Sequence, residues 1–406
     1  MTTRRIAFQL IALAVFAVCT AGLLADEPRL EKPTRVFPTT QPAYKRPGQY
    51  HAFAMRLSPD GKRLLYTRAV SGSEQADDRS ARYELVLREL DGGKETVLPI
   101  EPVETGWQSV PTRFNLFDAA GKRLVLPSIK VETRQIDEHL SANKMVVRWL
   151  VYDIAQAKVE STDIECGTGP VKFTADGQAL VVTASTDGRE LATRIISLKD
   201  PNAKPAPLAA SGWLQSLCPT GGAAVFFVPP ARPTAPPQPG ERMQKPPMRL
   251  VLWDLKADKE LALLPTHPRN SSLDDWETQW TADGRYLYYI DFDHQAAADG
   301  QANSTLRDVT RIWDRQAGKP AGEVRDAIPV GPGPGASLMV LAKRTGNDSG
   351  GFLLHDAGTG KEYPLGDSSK ALIHAWGGKI VYAETPTGSD AEVVLVADLV
   401  APTTSK

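Results

Sequence analysis

A tight-turn motif recurs along this chain at intervals too regular for one irregular domain. Leu57-Ser58-Pro59-Asp60-Gly61-Lys62-Arg63-Leu64-Leu65-Tyr66 is the fullest copy, and Phe117-Asp118-Ala119-Ala120-Gly121-Lys122-Arg123-Leu124-Val125-Leu126 repeats its outline. Phe173 to Gly177 leads into Leu180-Val181-Val182, and Trp280 to Gly284 leads into Leu287-Tyr288-Tyr289. Looser copies lie at Leu217 to Gly221, at Gly333 with Leu338-Met339-Val340, and at Gly377 with Ile380-Val381-Tyr382. The physics is that of a hairpin. Pro59 presets φ for the first corner, Asp60 tolerates the second, and Gly61 takes the left-handed position that closes it. The apolar and β-branched residues on either side read as strands.

Each copy is followed by a second strand pair with its own short turn, such as Leu250 to Leu255 before Ala257-Asp258, or Thr310 to Trp313 before Gln316-Ala317-Gly318. Seven four-stranded units of roughly 50 residues fit the size of propeller blades. The expected fold is therefore all-β: a seven-bladed β-propeller of four-stranded antiparallel blades over residues 45–400, with a short tail at 401–406. The last unit has no evident fourth strand after Leu399. Thr34 to Thr39, within an N-terminal segment 26–44, is placed to supply it, and closing the ring this way would remove an open sheet edge.

The Ser-Pro-Asp-Gly-Lys copies resemble the WD-type repeats of TolB-like proteins and of the propeller domains of prolyl-oligopeptidase relatives. The resemblance covers nearly all of residues 45–400 and implies the fold; it does not imply one activity. No Gly-x-Ser-x-Gly nucleophile elbow occurs, so the peptidase chemistry of the oligopeptidase relatives is not expected. A stand-alone propeller without a hydrolase domain is the expectation.

Residues 1–25 read as a signal peptide: Arg4 and Arg5 precede an apolar run from Ile6, and Ala21 and Ala25 offer small cleavage-site residues. Export to the periplasm or outside the cell follows, with an uncleaved N-terminal anchor as the alternative. No membrane span is expected after cleavage. Charge is balanced, with 47 basic and 48 acidic residues and a formal net of −1, so no nucleic-acid partner is expected. Loss of Cys19 with the signal leaves Cys166 and Cys218, which either pair in an oxidising compartment or stay separate.

Alternate turns in a blade share one face. The first-to-second and third-to-fourth turns are short here, whereas the second-to-third connections at Ala69 to Arg82, Lys130 to Lys144, Pro229 to Met248 and His294 to Arg307 are long. Such loops are commonly functional. The Pro229 to Pro247 stretch, with eight prolines, reads as a stiff extended insert. On that face, His51, Trp107, Trp213 and Trp276 are candidates for ligand binding, because aromatic faces at a rim stack on sugars or side chains. For Trp213 and Trp276 a wedge between blades is the ordinary alternative and the favoured one. Blade five adds a polar cluster: His267, Asp274 and Asp275 before its first strand, and Asp291, Asp293 and His294 at the end of its second. Alternation places Asp291 and Asp293 on one strand face, about 6–7 Å apart. Paired carboxylates with imidazoles suit a hard cation such as calcium or manganese; solvated loop acids are the plain alternative. His374 falls in line with Leu, Phe or Trp of other blades and reads as a buried core histidine.

The leading functional reading is an exported, non-enzymatic propeller that presents its loop-rich face to a protein or glycan partner. The alternative is a metal-assisted lyase or lactonase acting on a sugar-derived substrate. Oligogalacturonate lyases are similar in size and repeat type, and that resemblance implies a metal held by converging histidines. The six histidines here, at 51, 139, 267, 294, 355 and 374, reproduce no ligand spacing.

Overall fold

The computed structural model describes residues 27–36, 55–70, 82–104, 116–135, 141–165, 170–186, 190–200, 203–228, 249–266, 278–295, 305–345, 348–367, 369–385 and 393–402. Strands fall into seven antiparallel sheets around an axis, the seven-bladed propeller expected from the repeat. Blade four shows the plan. Trp213–Leu217 is innermost, followed outward by Ala223–Val228, Arg249–Asp254 and Lys259–Leu264. Blade two departs from it. Its first strand shrinks to the bridge between Phe117 and Leu124 and a hydrogen bond from Val125 N–H to the Leu116 carbonyl. In blade one the outer strand is split into Glu95–Val97 and Val103–Glu104, with Pro99 and Pro102 between the halves.

The ring is closed by the N-terminus. Arg29–Arg35 is the outermost strand of blade seven and pairs with Val393–Val400. This lies about five residues earlier than the expected Thr34–Thr39. Its composition hid it. RLEKPTR has no apolar alternation, because an outermost strand faces water, where charges and a proline are favoured. Pro33 is accommodated by a register shift between Glu31 and Thr34, with Lys32 at φ +50°. Val36 ends the strand buried, its N–H donating to the Val394 carbonyl.

The core lies in the seams between blades. Strand alternation gives each blade two apolar faces: Leu64 and Tyr66 pack toward blade seven with Val381 and Val396, whereas Leu65 packs toward blade two with Leu124 and Leu126. Equivalent clusters join blades three and four around Val181 and Phe226, four and five around Phe227 and Leu287, five and six around Tyr288 and Met339, and six and seven around Leu354 and Ile380.

The motif turns are held by a small circuit. Ser58 Oγ accepts from Arg63 N–H and donates to Asp60, which accepts from Lys62 N–H. Thr174 with Asp176, and Thr281 with Asp283, repeat it. In blade two Asp118 takes the hydroxyl's place and accepts from Lys122 and Arg123 N–H. The closing glycines 61, 121, 177, 221 and 284 all have φ between +65° and +81°. They also face the preceding blade's turn: a Cβ on Gly284 would lie 2.5 Å from Cys218 Sγ.

Candidate functional site

The second-to-third connections leave from one face, as expected, but the strands run further than expected. The stretch from Lys130 to Lys144 reads as loop in the sequence, yet Arg123–Gln135 and Ser141–Asp153 pair without a register shift to Gln135 opposite Ser141. The pairs from Ile129–Val147 to Gln135–Ser141 continue past the fourth strand, whose pairing reaches only Arg148, forming a ribbon about 20 Å long. Blade five extends similarly, with strands Tyr286–Gln295 and Thr305–Asp314.

Blade five brings Asp291 and Asp293 to one face, as alternation requires, and pairs both with arginines. Asp291, fully buried, accepts from Arg311 Nε at 2.5 Å; Asp293 lies 3.1 Å from Arg325. Glu323 joins the two arginines, at 3.4 Å from Arg311 and 2.9 Å from Arg325. The result is an alternating chain of charge across three strands. The two carboxylates therefore fit a hard cation poorly, since it would have to displace two guanidinium groups. Arg311 was legible as a partner only through register: it sits opposite Tyr289, diagonal to Asp291. Among the described residues, no three His, Cys, Asp or Glu side chains converge. A small, shallow cleft opens beside this chain, lined by Asp293, Arg307, Val309, Arg325 and Asp326.

Trp213 begins the first strand of blade four, opposite Phe227, and packs half-buried on the cluster that holds Val225, Leu250 and Trp280. This is the wedge between blades that the sequence also allowed. His294 pairs with Leu306 at the loop end of blade five. His51, Trp107, His267, Asp274, Asp275 and Trp276 lie outside the described residues, as do the signal segment and Cys166. Cys218 is a buried free thiol 3.2 Å from Thr220 Oγ1.

The axis shows what the sequence reading missed. Blade seven turns through Gly377-Gly378, both at positive φ, so only four residues separate the paired Ala375 and Ile380, against six between Leu57 and Leu64. Ala375, not His374, therefore occupies the Leu57 slot. His374 falls one place earlier, level with Arg56, Lys172, Ser216, Gln279 and Gly331 on the innermost strands.

At three seams this level faces the next blade. His374 Nδ1 accepts from Leu57 N–H at 3.1 Å. Ser216 Oγ accepts from Thr278 at 2.6 Å and from Trp280 Nε1 at 3.1 Å. A Cβ on Gly331 would collide with the Ala375 carbonyl at 1.9 Å. His374 is buried, as expected, and burial holds its pKa well below the ordinary range, with the Arg56 charge adding to the effect. The accepting Nδ1 makes it a neutral imidazole. Lys172 is pushed down to about 8 by burial and then by Arg56.

These features define the class: a seven-bladed β-propeller with one tight-turned face and one extended face. No protein-family model matches the chain, and no curated protein sequence matches it. Solved structures are similar. The β-propeller domain of the Trilobed protease from Pyrococcus furiosus, whose topology is described as open velcro, has a TM-score of 0.51 at 10% identity over 86% of this chain and 98% of that one. An oligogalacturonate lyase in complex with manganese has a TM-score of 0.49 at 12% identity over 91% and 93%. TolB from Acinetobacter baumannii has 0.33 at 12% over 84% and 81%. At these identities the likeness concerns fold alone.

Proposed function

We propose that this chain is an exported binding propeller that receives a protein or glycan partner on the face carrying its second-to-third connections. The observation that carries this reading is the asymmetry of the two faces. On one, short turns are closed by hydrogen bonds; on the other, the blade-two and blade-five strands run past their sheets. A rigid scaffold with variable projections on one side is how repeat folds commonly build recognition surfaces. The signal-like N-terminus supports export, and the described residues include no helix long and apolar enough to cross a membrane.

The test is a glycan and peptide array probed with the wild-type chain and two variants. One replaces residues 130–144 with a two-residue turn; the other carries Lys62→Glu on the tight-turn face. Binding lost in the first and kept in the second is the expected result. Binding that survives shortening of the ribbon, or no binding by the wild type, would overturn the reading.

A further inference from the structure

The fourth strand of every blade starts on the tight-turn face, with a cation at or just before its first residue. Lys158, Lys259, Lys319 and Lys361 open the fourth strands of blades two, four, five and six. Lys94 and Lys204 stand just before those of blades one and three. In blade seven the fourth strand is the N-terminal one, and Arg29 opens it. All seven side chains belong to exposed residues.

Local chemistry leaves the lysines free. Asp153, Asp254, Asp314 and Asp356 lie opposite four of them in register. Each carboxylate instead accepts a backbone N–H of its own turn, at 2.7–2.9 Å. Among the described residues none of the six lysines makes an ion pair or a side-chain hydrogen bond; Lys361 lies over the Tyr363 ring at 4.5 Å, and Arg29 meets Glu31. The loop face differs, since Arg307, Arg325 and Arg344 are each paired with an aspartate. The turns of the tight face are described apart from the uncharged pair at 201–202. Exposed in them and at the fourth-strand starts are ten lysines against five aspartates, 60, 91, 176, 200 and 283, with Glu27 ahead of the first strand.

We propose that the tight-turn face lies against a membrane, its lysine ring engaging anionic lipid headgroups, so that the face with the long connections points away from the bilayer. This rests on export and adds a second surface, opposite the partner face. Equivalent positions around a propeller share a plane. A coplanar ring of separate point charges on long, mobile stems fits a flat, extended anionic surface, whereas a single small anion needs cations that converge. The course of the chain points the same way. Pro28 is buried just ahead of Arg29, and three residues separate it from Leu24, the end of the apolar run that begins at Ile6. Before processing, that run joins the fold at the face that carries the lysines.

The experiment is co-sedimentation of the processed chain, from Asp26 onward, with vesicles of equal parts phosphatidylglycerol and phosphatidylcholine, and with vesicles of phosphatidylcholine alone. The mixed vesicles should bind the protein at low salt and release it as sodium chloride is raised; the neutral ones should not retain it. Each lysine beside such a surface is worth about fivefold in binding, so Lys259→Gln, Lys319→Gln and Lys361→Gln combined should weaken it by about a hundredfold. Lys259→Arg, Lys319→Arg and Lys361→Arg together should bind like wild type, and both triple variants should keep its melting behaviour. Heparin serves as the soluble polyanion. The proposal is overturned if the mixed vesicles do not bind, if phosphatidylcholine alone binds equally, if the glutamine triple binds like wild type, or if heparin binds while the vesicles do not. A glutamine triple that aggregates yet still binds overturns it too, leaving the lysines as guards of open strand edges. The array and the vesicles read opposite faces, so either result can fail without the other.

Discussion

Two bases on the innermost strands make the same demand on pH in two different ranges. Lys172 has a folded pKa near 8 against 10.5 for the free side chain, so the unfolded chain binds more protons between those values. Stability should therefore rise from about pH 8 toward pH 10, above which the buried tyrosines oppose it. Tyr66, Tyr288 and Tyr289 have pKa values raised by burial, so the unfolded chain loses phenol protons first. The rise is worth up to about 3 kcal/mol, and chemical denaturation of Lys172→Met at pH 8 and pH 9.5 should show it missing. His374 acts in the same direction at lower pH. Its pKa is depressed, so its contribution is present above the ordinary imidazole value of 6.5 and is lost as pH falls through and below it. His355, whose Nδ1 lies 2.7 Å from the Tyr288 hydroxyl, shifts the same way through burial. Replacing His374 with Ala leaves the Leu57 N–H without its acceptor and should cost about 2–3 kcal/mol in urea melts at pH 7.5. That cost should shrink at pH 5, where wild type has already lost the imidazole's advantage.

At the scale of the element, the motif turn was legible because everything that shapes it lies within six residues. Ser58, Asp60 and Gly61 form one circuit, and the same spacing in blades three and five predicts the same bonds. A second recurrence is equally local: Asp254 and Asp314 end third strands and accept the backbone N–H groups of the following turn. What the motif does not disclose is that its glycine is also an inter-blade contact. Gly284→Ala would force a Cβ at φ +66° to within 2.5 Å of Cys218 Sγ and 2.6 Å of Thr220 Oγ1. We expect a loss of about 2–4 kcal/mol, combining backbone strain with overpacking. Gly318→Ala, at φ +63° with open space around it, isolates the strain alone and should cost about 1 kcal/mol. Equal losses in denaturant melts of the two variants would contradict the contact.

For the molecule as a whole, closure rests on the N-terminal strand. Deleting residues 27–36 removes the partner of Val393–Val400 and uncovers Val394 and Leu395, exposing an unpaired edge. The truncated protein should melt several degrees lower and aggregate, as scanning calorimetry and light scattering would show. A synthetic peptide of the deleted segment should restore part of the loss. An unchanged melting temperature would mean that the blade-seven seam with Met55 and Leu57 closes the ring without it.

The sequence by itself determined the number of blades, their order and the face on which the connections are long, since each depends on hairpins formed by near neighbours. It also marked Asp291 and Asp293 as sharing a strand face. Tertiary structure alone decided what those residues meet. Arg311 reaches Asp291 through strand register, Ser216 meets Trp280 across 64 residues, and His374 meets Leu57 across 317. The misplacement of His374 has the same origin: a turn shortened by two residues shifts a strand's register, and only pairing reveals it. Turn chemistry is written in consecutive residues, whereas a seam or an axis is assembled from side chains that no local pattern connects.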